Sequence, residues 1–180
     1  MSGTIMQFIT MPHKINDLFL TNTAVKPKYK ILVVDDDLEL NTSFALLLEF
    51  EGHEVQTAYT GEAALEKLAL SHFDLMISEY WLPRMRGDEL AALVQERWPD
   101  LPIIMATANF EEVGVDHPIA GVDCLLDKPF TMNQLREAMS WVLGHHEEKP
   151  ADKMAIQWVR GGYRAVSGTP KDAPTESDDF

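Results

Sequence analysis

Polar side chains stand at the ends of four short apolar segments that lie far apart in the sequence. These side chains belong to Asp35, Asp36, Glu79, Thr107 and Lys128. In an open parallel sheet the carboxyl ends of the strands line one crevice, so we expect these side chains to meet there. Three carboxylates this close repel one another unless a cation lies among them, and hard oxygen ligands suit Mg²⁺. A lysine and a hydroxyl beside them could contact the oxygens of a phosphoryl group.

Strand and helix patterns alternate along the chain and place these residues at one edge of a sheet. Short apolar runs predict strands at residues 30–34, 53–59, 75–77, 101–108 and 122–126. Helical spacing of apolar residues predicts helices at residues 38–50, 60–70, 88–98, 109–120 and 131–143. Strands that alternate with helices five times predict an α/β fold with a doubly wound, five-stranded parallel sheet.

The two ends of the chain differ in composition from this central region. Residues 1–28 lack a clear hydrophobic period and predict an N-terminal extension, either a docked helix or a disordered leader. Within it, the spacing of Phe8, Ile15, Leu18 and Phe19 suits a short amphipathic turn. Residues 145–180 predict a C-terminal tail that is largely disordered, in which only residues 154–166 have enough apolar content to dock. We therefore expect one domain, at residues 29–144, between irregular terminal extensions.

The charge of the chain limits its partners. The net charge is −14, and residues 30–144 hold 7 basic and 21 acidic residues. Such a surface repels nucleic-acid phosphates and anionic lipids, which argues against direct binding of DNA or of a membrane. It suits Mg²⁺ and basic protein partners better.

Cysteine content and hydropathy indicate the compartment. Cys124 is the only cysteine, so no internal disulfide can form, and we expect a buried, inert thiol in a reducing compartment. No apolar run approaches the length of about 18 residues that a membrane span needs. Residues 1–12 lack the pattern of a signal peptide. The sequence predicts a cytoplasmic protein.

Several motifs, in order and with matching spacing, resemble the receiver domain of two-component response regulators. They are Leu-Val-Val-Asp-Asp-Asp at 32–37, Phe-Asp-Leu-Met-Ile-Ser-Glu at 73–79, Leu-Pro-Arg-Met-Arg-Gly at 82–87, Ile-Ile-Met-Ala-Thr-Ala at 103–108 and Leu-Asp-Lys-Pro-Phe at 126–130. In that family a histidine kinase donates a phosphoryl group to an aspartate at the end of the third strand. The resemblance implies a flavodoxin-like fold over residues 29–144 and a signalling role rather than an enzymatic one.

The resemblance also implies a role for each matching residue. The implied Mg²⁺ ligands are Asp35, Asp36, Glu79 and the backbone carbonyl of Trp81. Thr107 and Lys128 would contact the phosphoryl group. Implied partners are a histidine kinase or a downstream effector. The family's usual partner and dimer surface would here be formed by Phe110, Val113, Leu125 and residues 132–141.

Two departures from the family pattern affect this expectation. Glu79 stands where the family has its phosphoacceptor aspartate. Its extra methylene displaces the nucleophilic oxygen by about 1.5 Å, and a misplacement of about 1 Å can cost on the order of 100-fold in rate. Leu125 stands where the family usually has a switch Tyr or Phe, so the aromatic ring of the usual readout is missing.

Three interpretations of Glu79 follow. In the first, its carboxylate reaches Lys128 and Thr107 and stands in part for a phosphoaspartate. In the second, it fills the site and leaves a fixed docking surface. In the third, Glu79 or another acid is still phosphorylated.

The sequence thus predicts an atypical, stand-alone receiver that acts through protein–protein interaction, independently of conventional aspartate phosphorylation. The alternative is a phosphorylatable, Mg²⁺-dependent receiver switch in a histidine kinase phosphorelay. An enzymatic alternative is a small Mg²⁺-dependent phosphatase, which would need a second nucleophile or base beside Glu79; the sequence offers none.

Overall fold

A computed structural model describes residues 27–108 and 119–144, together with the backbone of two strands at residues 155–159 and 162–166. The strands are β1 (Lys30–Val34), β2 (Glu54–Ala58), β3 (Leu75–Ser78), β4 (Ile103–Thr107), β5 (Cys124–Asp127), β6 (Ala155–Val159) and β7 (Gly162–Val166). The helices are α1 (Leu38–Phe50), α2 (Gly61–Leu70), α3 (Gly87–Arg97) and α4 (Met132–Gly144). The predicted helix at residues 109–120 falls almost entirely outside the described residues.

The strands form one sheet in the order β2-β1-β3-β4-β5-β6-β7. The first five strands in the chain pair in parallel, which confirms the predicted doubly wound, flavodoxin-like sheet. The chain passes from β1 outward to β2 and then returns to β3 on the other side of β1. The direction in which strands are added therefore reverses between β1 and β3. In folds of this kind the crevice at the carboxyl ends of these two strands is the expected ligand site.

The sheet separates two layers of helices. On one face α2 and α3 bury Leu68, Leu90 and Val94. On the other face α1 and α4 bury Leu48 and Leu135. The core strands are apolar on both sides, as expected for parallel strands that are covered by helices on both faces. This burial fixes the register of the strands, and therefore the positions of their carboxyl ends.

The apolar residues of helix α1 extend around more of its circumference than the sheet can cover. Asp37 caps its N-terminus by accepting hydrogen bonds from the backbone N–H groups of Glu39 and Leu40 at 3.0 and 2.9 Å. The side chains of α1 that are buried are Asn41, Ala45 and Leu48. Additional leucines at other positions of the helix are left exposed to solvent.

Residues 155–159 and 162–166 extend the sheet, within the stretch that the sequence predicts to be able to dock in an otherwise largely disordered tail. Strand β6 pairs in parallel with β5, and β7 pairs with β6 in antiparallel orientation. The sheet therefore has seven strands instead of five. The physical reason is that β5 would otherwise be an edge strand with unpaired backbone groups, which a following hairpin can satisfy.

Two buried side chains of β5 bear on the predictions. Cys124 is a free, buried thiol, and burial raises its pKa to about 12, as suits an inert cysteine. Leu125 is also buried, in the cluster that contains Met105 and Val122. The prediction that Leu125 lies on a partner surface is therefore wrong, because its side chain is part of the core. Within the described residues no helix is long and apolar enough to cross a bilayer.

Candidate functional site

The site lies where β1 and β3 end, next to the ends of β4 and β5. Asp35 follows β1 directly, and Glu79 follows β3 directly. These two strands are neighbours in register, with Val34 opposite Ser78, so the two carboxylates leave the sheet side by side. Thr107 ends β4, and Lys128 follows β5. The sheet thus brings together side chains that are up to 93 positions apart in the sequence.

Lys128 joins the two carboxylates. Its ammonium Nζ lies 2.6 Å from Oδ2 of Asp35 and 2.7 Å from Oε2 of Glu79. The exposed fractions of these three side chains are 17% for Lys128, 10% for Asp35 and 11% for Glu79. Water therefore screens these charges much less than it screens ion pairs on the surface. One ammonium thus lies between two carboxylates that would otherwise repel each other, whereas the cation expected there from the sequence was Mg²⁺.

The charge state of Lys128 follows from this environment. Burial taken alone lowers its pKa, because desolvation disfavours the charged form. Hydrogen bonds to Asp35 and Glu79, and the negative charge of both carboxylates, act in the opposite direction and prevail. The pKa of Lys128 is raised above its ordinary value, so the side chain is an ammonium at neutral pH.

The second oxygen of Glu79 is held by the backbone that follows it. Oε1 accepts hydrogen bonds from the backbone N–H groups of Tyr80 at 2.7 Å and Trp81 at 3.3 Å. The backbone N–H of Glu79 itself donates to the carbonyl of Val34 at 2.8 Å, which ties the residue to the end of β1. Both carboxylate oxygens of Glu79 are therefore engaged, one by Lys128 and one by its own loop.

The loop after β3 is fixed by a close approach of two backbone segments. The backbone N–H of Gly87, the first residue of α3, donates to the carbonyl of Tyr80 at 2.7 Å. A Cβ atom at Gly87 would lie 2.6 Å from the carbonyl oxygen of Glu79 and 2.8 Å from Cα of Tyr80. Since both neighbours are backbone atoms that cannot move aside, only glycine fits here. The Leu-Pro-Arg-Met-Arg-Gly motif therefore holds the start of α3 against the residue that bears the candidate acceptor carboxylate.

Tyr80 and Trp81 cover this loop from outside. The Tyr80 ring is buried, and its hydroxyl donates to Asp88 at 3.3 Å. The Trp81 ring packs edge-on against Tyr80, with 4.9 Å between the ring centroids. Trp81 itself is exposed, and its backbone N–H faces Glu79.

Asp35 is positioned by a residue that the sequence analysis missed. The side-chain amide of Asn41 donates to the backbone carbonyls of Asp35 at 2.8 Å and Ala58 at 2.9 Å, which joins α1 to the ends of β1 and β2. Asn41 is fully buried. The signal in the sequence was its position: Asn41, Ala45 and Leu48 recur at the spacing of one helix face, so a polar side chain lies on the face that packs on the sheet.

The two remaining predicted residues differ in their placement. Asp36 is exposed beside Asp35, and the Asp35 side chain accepts a hydrogen bond from the backbone N–H of Asp37 at 3.0 Å. Thr107 is fully buried at the end of β4, and its backbone carbonyl accepts a hydrogen bond from the backbone N–H of Lys128 at 2.9 Å. The structure thus brings Asp35, Glu79 and Lys128 into direct contact and places Thr107 against the backbone of Lys128.

The donor set fits a single Mg²⁺ ion with waters. Among residues 27–108 and 119–144, no three His, Cys, Asp or Glu side chains lie close enough together to form a metal cluster. Mg²⁺ needs less than that, because it usually takes one or two carboxylates and keeps several waters. Asp35 and the exposed Asp36 supply such a pair. The Asp35 oxygen Oδ2 is already bonded to Lys128, so the ion and the ammonium would share this carboxylate.

A family model and a curated relative both match this chain as a response regulator. A family model described as the response regulator receiver domain matches residues 31–140. The chain is 34% identical over 134 residues to the response regulator MprA of Mycobacterium bovis, which covers 72% of this chain and 57% of that protein. The chain thus spans little more than half the length of this curated relative.

Solved structures resemble this fold at similar levels of identity. The response regulator TrrA of Thermotoga maritima, solved in complex with Mg²⁺ and BeF, is 32% identical with a TM-score of 0.59, over 65% of this chain and all 100% of that one. A CheY-like receiver domain protein of Methanospirillum hungatei is 32% identical with a TM-score of 0.61, over 69% of this chain and 100% of that one. Because the family model spans more than half of the residues, the chain belongs to the receiver-domain family of response regulators.

Proposed function

We propose that this receiver domain is atypical, and that it acts in signal transduction through protein–protein interaction, independently of conventional aspartate phosphorylation. The observation that carries the proposal is the contact of 2.7 Å between Oε2 of Glu79 and Nζ of Lys128. Receiver domains are signalling modules, and the family's phosphoacceptor position is occupied here by a side chain that is already paired.

The engagement of both Glu79 oxygens supports this proposal. A nucleophilic carboxylate must present an oxygen lone pair in line with the phosphorus atom of the donor. Oε2 is hydrogen-bonded to Lys128, and Oε1 accepts two backbone N–H groups. These contacts fix the orientation of the carboxylate, so attack on a donor would require Glu79 to reorient against its own ion pair inside a site that is largely shielded from water. The extra methylene lowers the rate further, because a misplacement of the nucleophile by about 1 Å can cost about 100-fold in rate.

The same contact bears on the two interpretations of Glu79 that give a fixed state. A mimic of phosphoaspartate must reach the lysine that would otherwise contact the phosphoryl group, and Glu79 does reach Lys128. The mimicry is partial, because a glutamate carries about one negative charge, whereas a phosphoryl group carries nearly two with three acceptor oxygens. We therefore propose a domain held in one state by its own ion pair, with a surface that partners read without a phosphorylation signal.

Magnesium would bind at Asp35 and Asp36, with Glu79 and the backbone carbonyl of Trp81 as the other proposed ligands. Bound Mg²⁺ neutralises negative charge on phosphoryl oxygens in sites of this type. In this chain the carboxylate of Asp35 accepts hydrogen bonds from the backbone N–H of Asp37 and from Lys128. The backbone carbonyl of Asp35 accepts a hydrogen bond from the side chain of Asn41. These contacts orient the carboxylate whether or not the metal is bound.

The partners that suit this domain are proteins of two-component signalling in the cytoplasm, either a histidine kinase or a downstream effector. The net charge of −14 speaks against direct contact with nucleic acid or an anionic membrane. A homodimer through the region around α4 stays a prediction. Leu125 is not part of such a surface, and Phe110 and Val113 lie outside the described residues.

The second candidate function is a phosphorylatable, Mg²⁺-dependent switch in a histidine kinase phosphorelay. It is favoured by one observation: apart from Glu79, the acidic pair Asp35 and Asp36, Thr107 and Lys128 all stand at the expected strand ends. The relative TrrA, which was solved with Mg²⁺ and BeF, shows that a domain of this fold can bind such a phosphoryl analogue.

Incubation of the wild-type protein with acetyl phosphate and Mg²⁺ separates these two functions. We expect intact-mass spectrometry to detect no phosphorylated species, because Glu79 is misplaced and paired with Lys128. The response regulator TrrA, treated in the same way, is the positive control for the reagent. A phosphorylated species that maps to Glu79, Asp35 or Asp36 would instead establish the phosphorelay switch.

A further inference from the structure

Helix α1 carries an apolar surface that the folded domain does not cover. Among the described residues, eight large hydrophobic side chains are exposed, and five of them lie on α1: Leu38, Leu40, Leu46, Leu47 and Phe50. Phe50 is 90% exposed and Leu46 is 60% exposed. Single exposed leucines are common on proteins, but a contiguous exposed apolar patch usually marks a binding surface.

Four of these side chains form one stripe, defined here as Leu40, Leu46, Leu47 and Phe50. A rotation of 100° per residue places Leu40 and Leu47 on the same side of the helix, with Phe50 and Leu46 following in order around the helix, away from the sheet. Leu38 lies on a different side of α1. The stripe begins where the core-facing side of the helix ends, and by the same rotation the polar side chains of Glu39 and Ser43 also lie within its width.

The stripe borders a groove beside the candidate site. The groove has a volume of about 480 Å³ and is lined by Leu40, Phe44 and Leu47 of α1. Phe130 and Met132 also line it, and the rings of Phe44 and Phe130 meet edge-on with 5.6 Å between centroids. Asp35, Glu79 and Lys128 belong to the same lining. A segment bound in this groove would therefore lie against the ion-paired site.

We infer that the occupant of the stripe and groove is the N-terminal extension of the same chain, residues 5–20. The chain enters the domain next to the end of α1 that carries part of the stripe. The ring of Tyr29 stacks on that of His53 at 5.6 Å, and the backbone N–H of His53 donates to the carbonyl of Leu48 at 3.2 Å. The chain therefore enters β1 beside the C-terminal end of α1, which is the end that carries Phe50.

The extension is also long enough to reach along α1. Helix α1 has 13 residues and is about 20 Å long, at about 1.5 Å per residue. Pro12 would interrupt a helix over residues 8–19, but this stretch needs no continuous helix to reach along α1, since extended chain covers about 3.3 Å per residue. The residues between that stretch and Tyr29 can bridge about 3.3 Å each when extended, so the connection is long enough for the segment to run back along α1.

The N-terminal segment has residues that suit the stripe. Phe8, Ile15, Leu18 and Phe19 give the segment an apolar side of the kind that packs on leucines. This segment carries one basic and one acidic residue, Lys14 and Asp17, so it adds no net negative charge to a domain that is strongly acidic. The apolar contact thus favours the extension, at the short distances that a tether guarantees.

A paramagnetic label tests this inference in the full chain. The Gln7→Cys variant can carry a nitroxide at that cysteine alone, because Cys124 is buried and its thiol pKa is about 12. We expect the amide signals around Leu40 and Phe44 to lose most of their intensity. Signals of α2 and α3, on the opposite face of the sheet, should keep theirs. Leu40 lies at the end of α1 far from Tyr29, so proximity to the chain entry alone cannot produce this result.

Matched variants show whether the stripe is the binding surface. Leu47→Ser should abolish the loss of intensity around Leu40, whereas Leu38→Ser, an exposed leucine of α1 outside the stripe, should leave it unchanged. Equal loss on both faces of the sheet, or the same loss in the Leu47→Ser variant, would overturn the inference. A mixing experiment gives a further check, in which nitroxide-labelled protein at natural isotope abundance is added to ¹⁵N protein that carries no nitroxide. A loss of intensity around Leu40 in that mixture would also overturn the inference, because it would assign the stripe to a second copy of the chain.

Discussion

The Glu79→Asp variant should accept a phosphoryl group from acetyl phosphate in the presence of Mg²⁺, at a rate at least on the order of 100-fold above that of the wild type. Aspartate is one methylene shorter, so it withdraws the carboxylate from Lys128 and returns the nucleophilic oxygen to the family's position. The other groups of the site stand at their expected strand ends. Intact-mass spectrometry over time gives the rate.

The control for this result is Glu79→Gln, which keeps the length of the side chain but cannot form an acyl phosphate. It should stay unmodified under the same conditions. If the Glu79→Asp variant also stayed unmodified while folding normally, the pocket around Asp35 and Lys128 would not be competent, and more than one methylene would separate this domain from phosphotransfer.

Replacement of Lys128 by methionine should lower the free energy of unfolding by about 3 kcal/mol, because it leaves the buried carboxylates of Asp35 and Glu79 facing each other without their cation. The exposed fractions of 10% and 11% for these two side chains mean that water cannot fully take the place of the ammonium. Urea unfolding, monitored by tryptophan fluorescence, measures the change.

Arg84→Met is the matched control, because Arg84 pairs with Glu62 at 3.3 Å on the surface, with exposed fractions of 69% and 42%. An exposed ion pair of this kind contributes about 0–1 kcal/mol. Mg²⁺ should stabilise the Lys128→Met variant more than the wild type, since the ion can then neutralise the two carboxylates. Equal costs for the two variants would contradict the structural role assigned to the Lys128 ion pairs.

Much of the site was predictable because a parallel sheet converts strand ends into neighbours. Asp35, Glu79, Thr107 and Lys128 each follow or end an apolar run, and that pattern alone placed them at one edge. Distances were not predictable. The sequence does not show that Lys128 bonds to Asp35 as well as to Glu79, because this depends on how far each side chain extends from its strand.

Other features depend on tertiary contacts that leave a weaker trace in the sequence. Leu125 was placed on a partner surface by the family resemblance, whereas it lies within an apolar run on a strand that is buried on both faces, as suits a core side chain. Residues 154–166 were recognised as able to dock, but their pairing with β5 depends on an open sheet edge that is visible only in the fold. Asn41 shares a helix face with Ala45 and Leu48, but the pattern of apolar residues does not show which backbone carbonyls its buried amide bonds to.

An NMR titration of ¹⁵N-labelled protein with Mg²⁺, followed by beryllofluoride, tests the central claim that Lys128 holds Glu79 in place of a phosphoryl group. Mg²⁺ alone should shift the amide signals around Asp35, Asp36 and Trp81. Beryllofluoride should then change the spectrum of the Glu79→Asp variant and leave that of the wild type unchanged. Large beryllofluoride shifts in the wild type would contradict the claim, because Glu79 would then accept a phosphoryl-like group and the domain would be a phosphorylation switch.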